Sequence, residues 1–216
     1  MKARDRYPAG YIAAATLSVL AWPVLYCLES FNQAFCGSNS DRISTGISVF
    51  IILYMVITVV LTVIFGVINI VRSFRLFRSG RWELCAKNCM KLKYGMIPCF
   101  LINFYVLFLF GAVIWVLSSG TSMIWYVPLA FLITWVYLFP GAFYGIQVIR
   151  ICRKEKQKNL LWCFGHGILQ FCFLVDVPDA AWLTARELGT GKKAARIVCG
   201  GYLVAACIFL YLTLGK

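Results

Sequence analysis

The sequence predicts an all-α polytopic membrane bundle of about six spans that forms one integral membrane domain over residues 1–216. The chain is 62% hydrophobic and only 13% charged, with a mean hydropathy of +0.82. This charged share is about half that of a soluble domain. Several of its apolar stretches exceed the ~20 residues that a helix needs to cross a bilayer. These stretches lie at approximately 11–29, 46–71, 96–117, 124–149, 160–183 and 197–214.

Charges between the stretches predict the orientation. The net charge of +13 is concentrated in 72–93, 150–158 and the N-terminal tail, whereas 30–45 holds one acid and one base. The positive-inside bias therefore places the N-terminus and both basic loops in the cytoplasm, with the protein in the cell membrane. We expect the bilayer and its anionic lipids to be the partners of these bases. Nucleic acid is not expected, because no soluble module interleaves aromatic and basic residues.

The first stretch begins after Pro8 and ends at Glu29, without the small-residue exit of a cleavable signal peptide. We therefore interpret it as a retained helix. Cys27 and Cys36 flank the loop that follows, which is predicted to be external. An oxidising exterior would permit a disulfide between them, and whether they are bonded stays open.

The segment between spans 2 and 3, approximately 81–93, has apolar residues at helical spacing on one side and polar residues on the other. This pattern predicts an amphipathic helix in the inner headgroup layer, with a solvated connector as the alternative. Cys85 and Cys89 share a helix face, which we expect to rest on lipid. Two thiols without a second pair make a poor zinc site, so neither a metal nor another cofactor is expected.

Two later stretches carry helix-bending or helix-packing signals. Pro140–Gly141 predicts a kink in stretch 124–149, because proline removes a backbone hydrogen bond, and the pair is a candidate hinge. Gly201 and Ala205 form a small-residue face in the last stretch that suits close helix packing.

Stretch 160–183 leaves the topology open. It is long enough to cross, but the cluster 186–196 that follows has a net charge of +3. A crossing places this cluster outside, against the positive-inside bias. A re-entrant segment places it inside and the C-terminus outside. We count 160–183 as a crossing, because of its length.

The same stretch contains the leading polar candidates. A charge at the centre of a span costs ~2.5–3.5 kcal/mol, which singles out Asp176. Asp179 lies one turn further on the same face, and the two acids suit cation binding, proton relay or a basic partner. Solvation at the interface, with Asp179 as a cap, is the alternative. His166, the only histidine, lies ten residues before Asp176. Along a straight helix that is about 15 Å, so the two cannot share a metal or a proton unless the helix breaks. We interpret His166 as a polar residue near the inner interface, with a titrating group as the alternative.

Gln170 and Asn103 are amides within apolar runs, where such residues usually bond helices together. In a transporter they would instead face a polar path. No HExxH, GxSxG, P-loop or GxGxxG motif occurs, which disfavours the corresponding enzymes.

Three functions stay open. A small transporter or channel-like protein is the first, with Asp176, Asn103 and Gln170 along the path. The second is a non-catalytic accessory, immunity or sensor subunit that binds another membrane protein or a second copy. An intramembrane enzyme is the least favoured, because an aspartyl protease needs acids on two helices and here both lie on one.

Two segments, Leu92–Phe104 and Ile168–Asp176, resemble a group of uncharacterised multi-pass membrane proteins of Gram-positive, Firmicutes-type bacteria. The resemblance implies a bacterial multi-pass protein and carries no established activity. It directs attention to Pro98, Asn103 and Asp176.

Overall fold

The computed structural model describes residues 6–35, 40–118, 120–173 and 175–214, and the regular structure in these ranges is helical. This confirms the all-α prediction. The helices are α1 Tyr7–Phe35, α2 Ser40–Arg78, α3 Trp82–Gly95, α4 Ile97–Ser118, α5 Met123–Lys156, α6 Leu160–Leu169, α7 Asp176–Trp182 and α8 Lys192–Leu214, with a π-helical turn at Leu183–Glu187 before α8.

Three segments of the described chain are long and apolar enough to cross a bilayer: Ser48–Arg78, Trp82–Leu117 and Met123–Lys156. Large apolar side chains on them are open to the surroundings, with Leu117 81% and Trp125 80% exposed. Such exposure is compatible with a protein whose outer surface faces lipid. The number of spans stays a prediction.

The chain divides into two compact units, and the division falls within α2 and α5. The apolar unit comprises 6–68 and 96–137, and the polar unit comprises 69–95 and 138–214. The polar unit carries sixteen of the lysines and arginines but only five acids. Most of the charge chemistry of the protein therefore belongs to one unit.

In the apolar unit, hydrogen bonds join helices through otherwise apolar contacts. The hydroxyl of Tyr11 donates to the Tyr137 carbonyl at 2.9 Å, and Ser18 Oγ lies 2.8 Å from the Tyr137 hydroxyl. Asn103 Nδ2 donates to Thr134 Oγ1 at 2.9 Å, which ties α4 to α5. These bonds satisfy polar groups that neither lipid nor apolar side chains would satisfy.

In the polar unit, α3 is a helix over Trp82–Gly95, the segment for which the sequence predicts an amphipathic helix. Its apolar face is not left to lipid: Cys85 and Cys89 are fully buried, and α3 packs on α7. The expectation that these cysteines rest on lipid is therefore wrong. Whether the other face of α3 lies in the headgroup layer stays a prediction.

Helix α5 continues through Pro140 and Gly141 without interruption. The structure gives Gly141 a packing role, because a Cβ at this position would lie 3.3 Å from Lys93 Cε. The absent side chain lets the lysine stem lie against α5. A hinge at this position stays a prediction.

Residues 160–183 do not form one continuous helix. Helix α6 ends at Leu169, a turn follows, and α7 begins at Asp176. Beyond α7, the Glu187 carboxylate lies 3.1 Å from Lys156 Nζ and 3.3 Å from Lys158 Nζ. The segment that leaves the C-terminal end of α5 therefore returns to it.

The turn before α8 depends on two glycines. Gly189 and Gly191 both have φ of +70°, a conformation that glycine adopts without the strain of a side chain. A Cβ at Gly191 would overlap Met90 Sδ of α3, whereas the space around Gly189 is open. The turn is thus held against α3 at Gly191.

Candidate functional site

A buried ion pair joins α3 to α7. Lys93 Nζ lies 2.5 Å from Asp176 Oδ2, and each side chain is only 2% exposed. Lys93 Nζ also donates to the Gln170 carbonyl at 3.4 Å. Charges removed from water lose hydration that only their mutual attraction and hydrogen bonds offset, so neither is stable here without the other.

A second acid–base pair lies on the same segment. His166 Nδ1 is 2.5 Å from Asp179 Oδ1, and Gln170 Nε2 donates to Asp179 Oδ2 at 2.5 Å. Asp179 is buried, while the His166 side chain keeps 18% of its surface exposed. The carboxylate forms its bond at Nδ1 and thereby fixes the orientation of the imidazole ring.

Two indoles flank the histidine. The Trp182 ring stacks on His166 with a centroid distance of 5.2 Å and an interplanar angle of 10°. The Trp162 ring lies 4.3 Å away at 53°. These contacts confine the ring, and together with Asp179 they limit the rotamers that His166 can adopt.

The break between α6 and α7 brings these groups together. On a straight helix, the thirteen residues from His166 to Asp179 would span ~20 Å. The turn after Gln170 reverses the chain instead. Gly145 on α5 makes room for it, because a Cβ there would overlap the Gln170 carboxamide. Gln170 then contacts both pairs, with its carbonyl on Lys93 and its amide on Asp179.

Several site predictions need correction. His166 has a buried acidic partner, since it is bonded to Asp179, and its position near the inner interface stays a prediction. Of the three alternatives for Asp176 and Asp179, the structure shows a basic partner, but each acid has its own rather than one in common. Both acids are buried, so the alternative of interfacial solvation is also wrong. Gln170 is fully buried at the centre of the cluster and, among the described residues, its Oε1 has no hydrogen-bond partner.

Other predicted residues lie elsewhere. Asn103 bonds Thr134 in the apolar unit. The Gly201 position on α8 has no described atom within 4 Å of a built Cβ, so Gly201 packs on nothing within this part of the chain. The side chains of Ala205 and Cys27, and Cys36 as a whole, fall outside the described residues. Within those residues no group of three or more His, Cys, Asp and Glu could hold a metal ion.

Lys93 is a site residue that the sequence does not single out, because it lies at the end of the basic segment 72–93. A signal was available: Cys85, Cys89 and Lys93 recur every four residues and therefore share one helix face. The first two residues marked this face as apolar. A lysine on it requires a buried acid as partner, and the acids in apolar surroundings were Asp176 and Asp179.

The sequence analysis also missed Glu187, which accepts hydrogen bonds from Lys156 and Lys158. Burial raises the pKa of the Glu187 carboxyl, but the bonds and charges of the two lysines outweigh burial, so the pKa lies below its ordinary value. Glu187 is therefore ionised at neutral pH and anchors the returning segment to the end of α5.

The model of a family of unknown function, DUF6652, matches residues 13–188. The chain belongs to this family. The matched range contains both acid–base pairs and ends one residue after Glu187. No curated protein and no solved structure matches the chain. The resemblance to an uncharacterised family is thus confirmed, while the multi-pass nature and Gram-positive origin stay predictions.

Proposed function

We propose that this DUF6652 protein is a small multi-pass transporter or channel-like protein that moves protons or a small cation past His166, Gln170 and Asp179. One observation carries the proposal: a broken helical segment holds two buried carboxylates, each bonded to a titratable base. Ionisable residues inside membrane proteins are costly and typically mark ion or proton pathways. Broken helices at such sites are typical of transporters.

The proposed topology has five crossings. Glu187 lies within 3.3 Å of Lys156 and Lys158, and a segment whose two ends meet cannot traverse a core that is ~30 Å thick. The stretch 160–183 is then re-entrant rather than a crossing. Three segments of suitable length, together with α1 and α8, complete the five. The N-terminus and the cluster 186–196 are cytoplasmic in this topology, and the C-terminus is external, in agreement with the positive-inside bias.

The site chemistry suits a proton or a small monovalent cation. His166 is the partly exposed member, so the site is entered at its ring. An incoming cation competes with the imidazole and with the Gln170 amide for the Asp179 oxygens. Lys93 neutralises Asp176 throughout, so only one carboxylate changes partner.

Flux measurements test this proposal. The purified chain is reconstituted in liposomes that enclose a dye sensitive to pH, sodium or potassium, and a gradient of the matching ion is imposed in each case. His166→Gln keeps a side chain that hydrogen-bonds to Asp179 but removes the titrating ring, so we expect flux to fall at least about tenfold, the lower limit of what a positioned acid–base group contributes. Lys87→Gln, in the exposed Glu83 pair of α3, is the matched control and should keep wild-type flux.

Far-ultraviolet circular dichroism verifies that each variant is folded. Wild-type protein that produces no flux above protein-free liposomes for any of the three ions would overturn the transport proposal. Full flux in His166→Gln would show that the ring has no part in it.

A partner-binding role is the second candidate, and α8 favours it. Gly201 faces open space, and Leu203 and Val204 are 67% and 60% exposed. Small residues let helices approach closely in lipid, so this part of α8 suits a second membrane helix. Gly201→Leu should then abolish co-purification of a membrane partner or a second copy. Unchanged co-purification, or none in the wild type, would argue against this role.

A further inference from the structure

A cationic cavity lies beside the start of α8, away from the two acid–base pairs. Its volume is about 310 Å³, and its lining includes Trp182 and Ala181 from α7 and Ala195 from α8. Arg186, Lys192 and Arg196 also line it. It is thus built by two elements that the turn at 188–191 joins.

No acid among the described residues neutralises the three bases. All three are exposed, and none forms an ion pair with an acid in the part of the chain that the structure describes. The nearest acid in sequence, Glu187, is occupied by Lys156 and Lys158. The Arg186 guanidinium lies 5.4 Å from the centre of the Trp182 ring, which holds its charge at the cavity wall.

The rest of the cavity is apolar. Ala181 and Ala195 are buried small residues that form its floor, and the Trp182 indole lines one side. Directly beyond Arg196, Ile197 is 76% exposed and begins the apolar surface of α8. A ligand that fits both halves carries an anionic group next to a hydrocarbon chain.

We propose that this cavity binds one anionic phospholipid, with the headgroup phosphate between Arg186, Lys192 and Arg196 and an acyl chain along α8. Basic clusters at the membrane ends of helices attract anionic lipid headgroups. The site adjoins the end of a predicted span under either topology of 160–183. It therefore stands or falls independently of transport.

Native mass spectrometry of the full chain in neutral detergent tests the site. Dioleoyl phosphatidylglycerol and dioleoyl phosphatidylcholine have the same acyl chains and differ in net charge. We expect the wild type to retain phosphatidylglycerol in preference to phosphatidylcholine. Each of Arg186→Gln, Lys192→Gln and Arg196→Gln should weaken phosphatidylglycerol binding about fivefold, because one base near a headgroup contributes ~1 kcal/mol.

Lys193→Gln is the matched control, since it removes the same charge one residue from Lys192 but does not line the cavity. The affinity of Lys193→Gln for phosphatidylglycerol should stay within about twofold of the wild type, because salt screens the effect of a charge that does not contact the lipid. Arg196→Lys keeps the charge and should retain most of the affinity, which separates a lost charge from a lost fold.

Equal retention of the two lipids would overturn the proposal, as would equal losses in Lys192→Gln and Lys193→Gln. A large excess of inorganic phosphate should not displace the lipid, because phosphate lacks the acyl chain. Displacement by phosphate would instead identify a free-anion site and overturn the lipid assignment.

Discussion

Removing one partner of the buried Lys93–Asp176 pair should destabilise the protein far more than removing both. At 2.5 Å and an effective dielectric constant of about 20, the gross attraction is about 7 kcal/mol. This attraction offsets a desolvation penalty of several kcal/mol for each ion. Lys93→Met or Asp176→Leu removes all of the attraction and leaves one charge buried. Each single variant should therefore lose about 3–5 kcal/mol of unfolding free energy.

The double variant Lys93→Met/Asp176→Leu leaves no buried charge. Its unfolding free energy should lie within about 2 kcal/mol of the wild type, since apolar replacement of a buried ion pair is often neutral. The coupling energy between the two positions is then at least about 4 kcal/mol, well above the usual range for pairs in contact. Reversible unfolding by dodecyl sulfate in mixed micelles, followed by circular dichroism, measures all four proteins.

The exposed Lys87–Glu83 pair on the same helix is the matched control. Its N–O distance is also 2.5 Å, but the side chains are 53% and 71% exposed. Lys87→Met and Glu83→Leu should each change stability by less than about 1 kcal/mol, and salt should reduce the difference. The prediction is wrong if the stability losses of Lys93→Met and Asp176→Leu simply add in the double variant. It is also wrong if these single variants are as stable as the Lys87→Met and Glu83→Leu controls.

Three further predictions concern packing and pH. Gly145→Ala should lower the free energy of unfolding by about 1–3 kcal/mol, because the added methyl group overlaps the Gln170 carboxamide and overpacking has that cost. Gly167→Ala is the control, since its methyl group enters open space, and thermal unfolding should show no such loss. In the same assay, Gly191→Ala should destabilise the protein more than Gly189→Ala. Both glycines have φ of +70°, so both variants carry the same backbone strain, but only a side chain at position 191 overlaps the Met90 sulfur. Glu187→Gln should be less stable than wild type above pH 4.5, the ordinary pKa of the carboxyl. The pKa of Glu187 is lower in the folded protein, so the difference in unfolding free energy should disappear as the pH falls through that folded-state pKa. Unfolding measured at a series of pH values tests this prediction.

The sequence predicted the features that rest on local pattern. Apolar stretches placed most of the long helices, although α2 extends to Arg78, seven residues past its predicted end at 71. The sequence singled out Asp176 as a charged residue in an apolar run, but it left open whether the carboxylate is buried or solvated at the interface. The helix predictions succeed because helix-forming runs depend on hydrophobicity over a few turns.

The partners of the acids depended on contacts distant in sequence. Lys93 and Asp176 are 83 residues apart, and analysis of single segments assigns them to different regions. The sequence shows no local cause for the helix break between α6 and α7. The residues that follow Gln170 are apolar, and the nearest proline, Pro178, lies within α7. Tertiary contacts of Gln170 with Lys93, Asp179 and the space at Gly145 stabilise the break instead.

The proposed topology requires that residues 159–186 enter the membrane from the cytoplasmic side and return to the same side. Single cysteines in a background without the native cysteines, labelled in intact cells with a reagent that cannot cross membranes, test it most directly. Gln157→Cys and Lys193→Cys report the start and the end of this segment. Thr121→Cys reports the connection between α4 and α5, which is external in the five-crossing topology, and all three positions are exposed. With five crossings, we expect that Thr121→Cys is labelled in intact cells and that Gln157→Cys and Lys193→Cys react only after permeabilisation. Labelling of Lys193→Cys in intact cells, with Gln157→Cys protected, would contradict it.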